Sequence, residues 1–113
     1  MQTHFDLGKL EADRSAKGRA YLEFLRVPAM SAGIYLLPAG AADQQKPHHE
    51  DEIYYVVRGR ARMSLEDAAG MRQELTVKAS DIIFVAARRE HRFHSIEEEL
   101  LLLVFFAPQE SDE

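Results

Sequence analysis

The sequence of 113 residues predicts an all-β protein, and three observations carry that expectation. Short runs rich in β-branched, aromatic and leucine residues follow one another from Ala20 to Phe106. Turn-forming stretches separate them, among them "AGAADQQKP", "RGR" and "DAAG". No helical period survives beyond about two turns anywhere after Ala20. Short strands at this spacing build a sandwich or a closed barrel.

Residues 1–18 form an N-terminal extension in which Phe5, Leu7 and Leu10 would line a short helix, with Gly8 and Gly18 counting against it. One domain follows over residues 19–108. Its strands are expected near residues 20–27, 31–37, 52–58, 60–66, 71–76, 81–86 and 97–106. Residues 109–113, "QESDE", make a tail expected to fray. In "EIYYVVRG", Glu52, Tyr54 and Val56 share one face while Ile53, Tyr55 and Val57 share the other. "LLLLVFF" from Leu100 is likewise apolar on both faces. A barrel has one interior, so such strands need a second cover. A second copy of the chain would supply it as a homodimer, and the N-terminal segment folding over is the alternative.

Composition narrows the function. Hydrophobic residues make up 46% and charged residues 29%, ordinary for a globular domain. With 14 basic against 19 acidic residues, the net charge of −5 speaks against nucleic acid and against an anionic membrane surface. The absence of cysteine removes disulfides, thiolate catalysis and Cys-ligated metal sites. It also suits a reducing cytosol, and "MQTHFDLGKL" has no signal-peptide pattern, so a cytoplasmic location is expected. The longest apolar run, beginning at Leu100, is too short to span a bilayer.

Four of the five histidines fall in two tight clusters, His48 with His49 and His91 with His94. In an extended chain His48 and Glu52 point to one face and His49 to the other. By the same parity His91 and Phe93 face together and His94 faces away. One histidine per cluster plus a carboxylate, His48, Glu52 and His91, is the donor set of a facial triad that leaves positions open for a ligand. A solvated polar turn in front of a strand is the competing reading of the same residues.

These residues resemble the cupin superfamily of small jelly-roll barrels. Its first motif, G(X)5HXH(X)3–4E(X)6G, is matched by Gly40, His48, Glu52 and Gly59. Its second, G(X)5PXG(X)2H(X)3N, keeps spacing and His91, but Ser80, Ala86, Arg88 and Ser95 replace the glycine, proline, glycine and asparagine. The resemblance implies an antiparallel jelly-roll β-barrel holding a divalent metal ion (iron, manganese, nickel or zinc) on His48, Glu52 and His91. Lys46 stands where the motif's leading histidine would be, so three ligands are expected, with Gln45 or His49 as substitutes. Lys46 itself would turn to solvent or grip an anionic ligand. Tyr54 and Phe93, inward by parity, would line the pocket mouth or simply pack in the core.

A small organic molecule is the expected ligand. As an enzyme the protein would be an oxygenase, or an isomerase or lyase using the ion as a Lewis acid. The alternative is a metal-free barrel that captures a small metabolite without catalysis. The fold does not choose between them.

Overall fold

The computed structural model describes residues 1–111. The chain runs α1 (Leu7–Lys17), β1 (Tyr21–Val27), β2 (Met30–Leu37), β3 (Asp51–Glu66), β4 (Arg72–Lys78), β5 (Ile82–Val85) and β6 (His91–Ala107). All pairings are antiparallel, in the order β1-β2-β6-β3-β4, with β5 also on β3. This is the expected all-β jelly-roll.

Two expected boundaries are corrected. The strands expected at 52–58 and 60–66 are one continuous strand, β3, and the strand expected at 97–106 begins at His91. Both long strands switch faces midway. In β3 the buried residues are Glu52, Tyr54 and Val56 in the first half, but Ala61, Met63 and Leu65 in the second. The switch falls at Gly59, where φ is +103° and the pairing with β6 slips. A Cβ there would lie 2.3 Å from the Glu99 carbonyl oxygen, so only glycine fits. β6 switches at Ser95, φ +49°, from His91 and Phe93 to Ile96, Leu100, Leu102, Val104 and Phe106. "RGR" is therefore a bulge and not a turn: the backbone keeps pairing through it, which the turn-forming composition concealed.

The interior is filled from both halves, with Tyr54, Met63, Phe93, Leu100, Leu102 and Val104 at its centre. The N-terminal segment covers part of the outer face. Asp6 caps α1 by accepting from the Gly8 amide at 2.9 Å. Gly18, at φ +63°, is the left-handed cap that ends the helix, so the glycine that weakens the sequence signal is its terminator. Phe5 packs on Phe24 with ring centroids 4.9 Å apart, and Glu11 reaches Arg58 at 2.9 Å. The helix thus touches strands on either side of the β2–β6 pair, where Leu22, Ile34 and Leu101 are buried. Beyond its reach Ile53, Ile82 and Phe84 stay 42%, 70% and 54% exposed. Among the described residues no helix is long and apolar enough to cross a membrane.

Candidate metal centre

Three pieces of backbone meet at the site: the loop before β3 brings His48, β3 brings Glu52, and the start of β6 brings His91. The loop is pinned by the Arg88 amide donating to the His48 carbonyl at 2.6 Å and the Ala87 amide to Asp51 at 2.9 Å. Asp43 holds its other end. That carboxylate, 3% exposed, accepts from the Tyr35 hydroxyl at 2.9 Å, the Gln45 side-chain amide at 3.0 Å and the Phe93 amide at 3.0 Å.

One donor atom each from His48, Glu52 and His91 lies within 4.8 Å of the others. His91 Nδ1 sits 3.1 Å from the Arg89 carbonyl, which can only accept, so the ring proton belongs on Nδ1 and Nε2 keeps its lone pair. That Nε2 faces Glu52 Oε1 at 3.3 Å, in a place where the two side chains are 0% and 1% exposed. Neither atom, nor Glu52 Oε2, has a hydrogen-bond partner among the described residues. Two buried acceptors this close need a proton or a cation between them, because unpaired burial costs about 1–3 kcal/mol per group and more for a charge.

His48 continues the arrangement. Its Nδ1 lies 3.5 Å from Glu110 and its Nε2 3.2 Å from Gln45 Oε1. Gln45 is oriented at both ends, giving its amide to Asp43 and accepting from the Tyr54 hydroxyl at 3.0 Å. An ion held at about 2.0–2.2 Å spaces neighbouring donors roughly 3 Å apart. The 3.3 Å between His91 Nε2 and Glu52 Oε1 matches that spacing, and a His48 nitrogen lies within 4.8 Å of both residues' donors, so the donor set fits a divalent metal.

Electrostatics keep both histidines neutral but favour a protonated Glu52 until a cation displaces its proton. Burial, the largest cause, pushes the Glu52 carboxyl up to about 8; the nearby Tyr54 hydroxyl pulls the other way, and Glu110 and Asp43 add to the rise. Since the Tyr54 proton is given to Gln45, it aids Glu52 only by proximity. Burial lowers both histidines, helped at His48 by its neighbour His91, so each favours the neutral, ligating form. Burial also raises the Tyr21 and Tyr35 phenols, which remain protonated.

A chamber of about 200 Å³ reaches the centre on the His48 side, lined by Tyr21, Tyr35, Gln45, His48, Phe106 and Glu110. Its rim is closed by the end of the chain: the Glu110 amide donates to Ser31 at 2.8 Å and Arg26 to the Glu110 carbonyl at 2.7 Å. The tail expected to fray is tied down at this point, while its residues 112 and 113 lie outside the described residues. Of the three residues expected at a ligand, two are packed in the core and one borders a basin. Tyr54 and Phe93 are both 0% exposed and meet edge to face at 5.0 Å, inside the core. Lys46 is exposed and borders a second basin with Arg72, Glu90 and Arg92, which His91 and Gln45 also line. His49 is exposed, and His94 turns outward to Glu74 at 3.0 Å, both as parity requires.

Sequence reasoning passed over Tyr21, Tyr35, Asp43 and Glu110. Alternation along β1 and β2 puts Tyr21 and Tyr35 on inward faces, so a signal existed for them. Asp43 and Glu110 sit in irregular segments, where no period says which way a side chain points.

Comparison with known proteins agrees with this fold. The sequence model of the Cupin domain family matches residues 33–106. An uncharacterized protein of Streptomyces coelicolor is 47% identical over 107 residues, covering 95% of this chain and 97% of that one. Among solved structures, KdgF from a Halomonas species superposes with a TM-score of 0.66 at 24% identity, covering 81% of this chain and 80% of its own. A variant of Bacillus subtilis oxalate decarboxylase gives 0.65 at 23% identity over 72% of this chain. The chain spans only 22% of that enzyme. At these identities the likeness is one of fold.

Proposed function

We propose that this chain, which belongs to the cupin domain family, holds a divalent metal ion on His48, Glu52 and His91 and presents it to a small organic molecule in the adjoining chamber. The observation that carries this is the pair of buried acceptors, His91 Nε2 and Glu52 Oε1, 3.3 Å apart without a hydrogen bond. A metal-free barrel would satisfy them only by a proton shared between the two, leaving Glu52 Oε2 without a partner, which weighs against the alternative of simple metabolite capture. The ion would supply Lewis acidity toward a ligand oxygen, the chemistry that isomerases, lyases and oxygenases share at their first step. Around it, Arg89 and Glu110 hold the two imidazoles in orientation, Gln45 offers a neutral oxygen beside His48, and Tyr54 with Phe93 keeps water from behind.

The same reading includes a homodimer. Ile53, Phe84, Phe105 and Met30 border an apolar groove of about 410 Å³ on the outer face that α1 does not reach. A second copy covering it is the occupant that the doubly apolar strands call for.

Metal uptake tests the centre. Protein purified without a polyhistidine tag and titrated with Mn²⁺ or Zn²⁺ should bind one ion per chain. His48→Ala and His91→Ala should each lower affinity at least about tenfold while the circular dichroism spectrum stays that of a β protein. His49→Ala and His94→Ala should change affinity little. Uptake that survives the first pair and fails with His49→Ala would refute the assignment.

A further inference from the structure

On the His91 side the centre is flanked by a second concavity, of about 390 Å³. We propose that this basin binds a small organic dianion, a dicarboxylate or a phosphate monoester, through Lys46, Arg72 and Arg92. The site goes beyond the metal reading and does not rest on it, because its charges belong to the chain itself.

Backbone geometry brings the three cations together. In β6 the buried His91 and Phe93 alternate with Arg92, which is thereby turned to solvent and pairs with Ser64 of β3. Two residues along β3, Glu66 faces Arg72 at the start of β4. Lys46 arrives from the loop before β3, which Asp43 ties to β6 by accepting from the Phe93 amide at 3.0 Å. Gln45, next to Lys46, and His91, next to Arg92, also line the basin, so it shares a wall with the metal centre.

Charge selects the class of what enters. Lys46, Arg72 and Arg92 stand against one carboxylate, Glu90, which Arg72 holds at 3.2 Å. Three positive charges against one negative leave two in excess, in one hollow of a chain whose net charge is −5. The arginines along β3 are paired: Arg58 with Glu11 at 2.9 Å, Arg60 with Glu98 at 3.9 Å and Arg62 with Glu74 at 3.9 Å. The side chains of Lys46 and Arg92 have no ion-pair or hydrogen-bond partner among the described residues. Both are exposed, so an entering molecule reaches them. Cations gathered in a hollow focus their field and draw an anion in, and a dianion balances the excess. The arginine forks accept carboxylate and phosphate oxygens equally well, two at a time. The volume falls within the roughly 300–1,000 Å³ typical of small-molecule pockets, which favours an organic anion over a bare inorganic one.

Calorimetric titration of the full chain with succinate, glycerol 3-phosphate and the neutral succinamide tests the site. At least one dianion should bind at least about tenfold more tightly than succinamide, with an affinity that falls as NaCl is raised. Lys46→Ala and Arg92→Ala should each weaken that dianion about fivefold. Lys9→Ala, which removes the same charge from α1, should not. The tighter dianion assigns the carboxylate or the phosphate class. Succinamide binding as tightly as the dianions, both basin variants binding like the native chain, or no saturable binding of either dianion would each overturn the proposal. Repeating the titration with and without Mn²⁺ separates the basin from the centre. A dianion held by the ion alone would need Mn²⁺ and ignore both basin variants, which would overturn the proposal. A chain that takes up no Mn²⁺ yet binds a dianion would support it and overturn the metal reading.

Discussion

At His91 the two ring nitrogens have opposite duties, one donating to the Arg89 carbonyl and the other aimed at Glu52. That division makes Glu52 the residue on which pH acts in the metal-free protein. Its folded carboxyl titrates near 8 because it is buried, against about 4.5 when unfolded. Below 4.5 both states carry the proton; between the two values the unfolded chain releases it and the folded one does not, so stability falls as pH rises across that window. The loss should be on the order of 3 kcal/mol by pH 7. Urea midpoints measured in chelator should show Glu52→Gln gaining on the native protein from pH 5 to 8 and matching it near pH 4. A difference that does not change with pH would contradict the assignment.

The elements that carry the ligands are bent strands, and the bends have a backbone cause. Gly59 keeps the first motif's closing glycine, at φ +103°. In the second motif Ser80, Arg88 and Ser95 stand where the resemblance would have glycine, glycine and asparagine, yet all three hold positive φ, at +78°, +65° and +49°. The conformation has been retained without the residue that adopts it freely, a cost of about 1–2 kcal/mol each. Arg88 is exposed, and its amide, not its side chain, makes the bond to His48. Arg88→Gly should therefore stabilise the fold by about 1 kcal/mol and leave metal affinity alone. Gly59→Ala should destabilise it by about 3 kcal/mol or more through collision with Glu99. Thermal melts of the two variants should move in opposite directions.

For the molecule as a whole, the outer sheet face is part covered and part open. The N-terminal segment meets β1 through Phe5 and β3 through Glu11, and the stripe of Ile53, Ile82 and Phe84 is left open. Both covers raised by the sequence thus have a part of the face to occupy. Sedimentation at micromolar concentration should give a dimer burying at least roughly 1,000 Å². Phe84→Glu should return it to monomer with the metal centre intact, since Phe84 points away from the interior. A native chain that sediments as a monomer would leave the stripe to some other partner.

Periodicity determined that His94 faces away from His91 and that the chain is built from strands, because alternation in an extended chain is a local property; His48 and His49 lie in the loop before β3, where that alternation was extended beyond the strand. The motif spacing added His91 and the family. Three things were decided only by tertiary structure. "RGR" continues a strand because the bulge at Gly59 is held by pairing to β6, a partner some forty residues away in the chain. Lys46 lies outside the chamber, and Tyr54 and Phe93 below it, because Asp43 ties the loop to β2 and β6. The chamber's rim is made by Glu110, whose anchors are Ser31 and Arg26 at the opposite end of the sequence. Local chemistry chose the candidate ligands; long-range hydrogen bonds, which leave no periodic trace in a loop or a tail, chose what surrounds them.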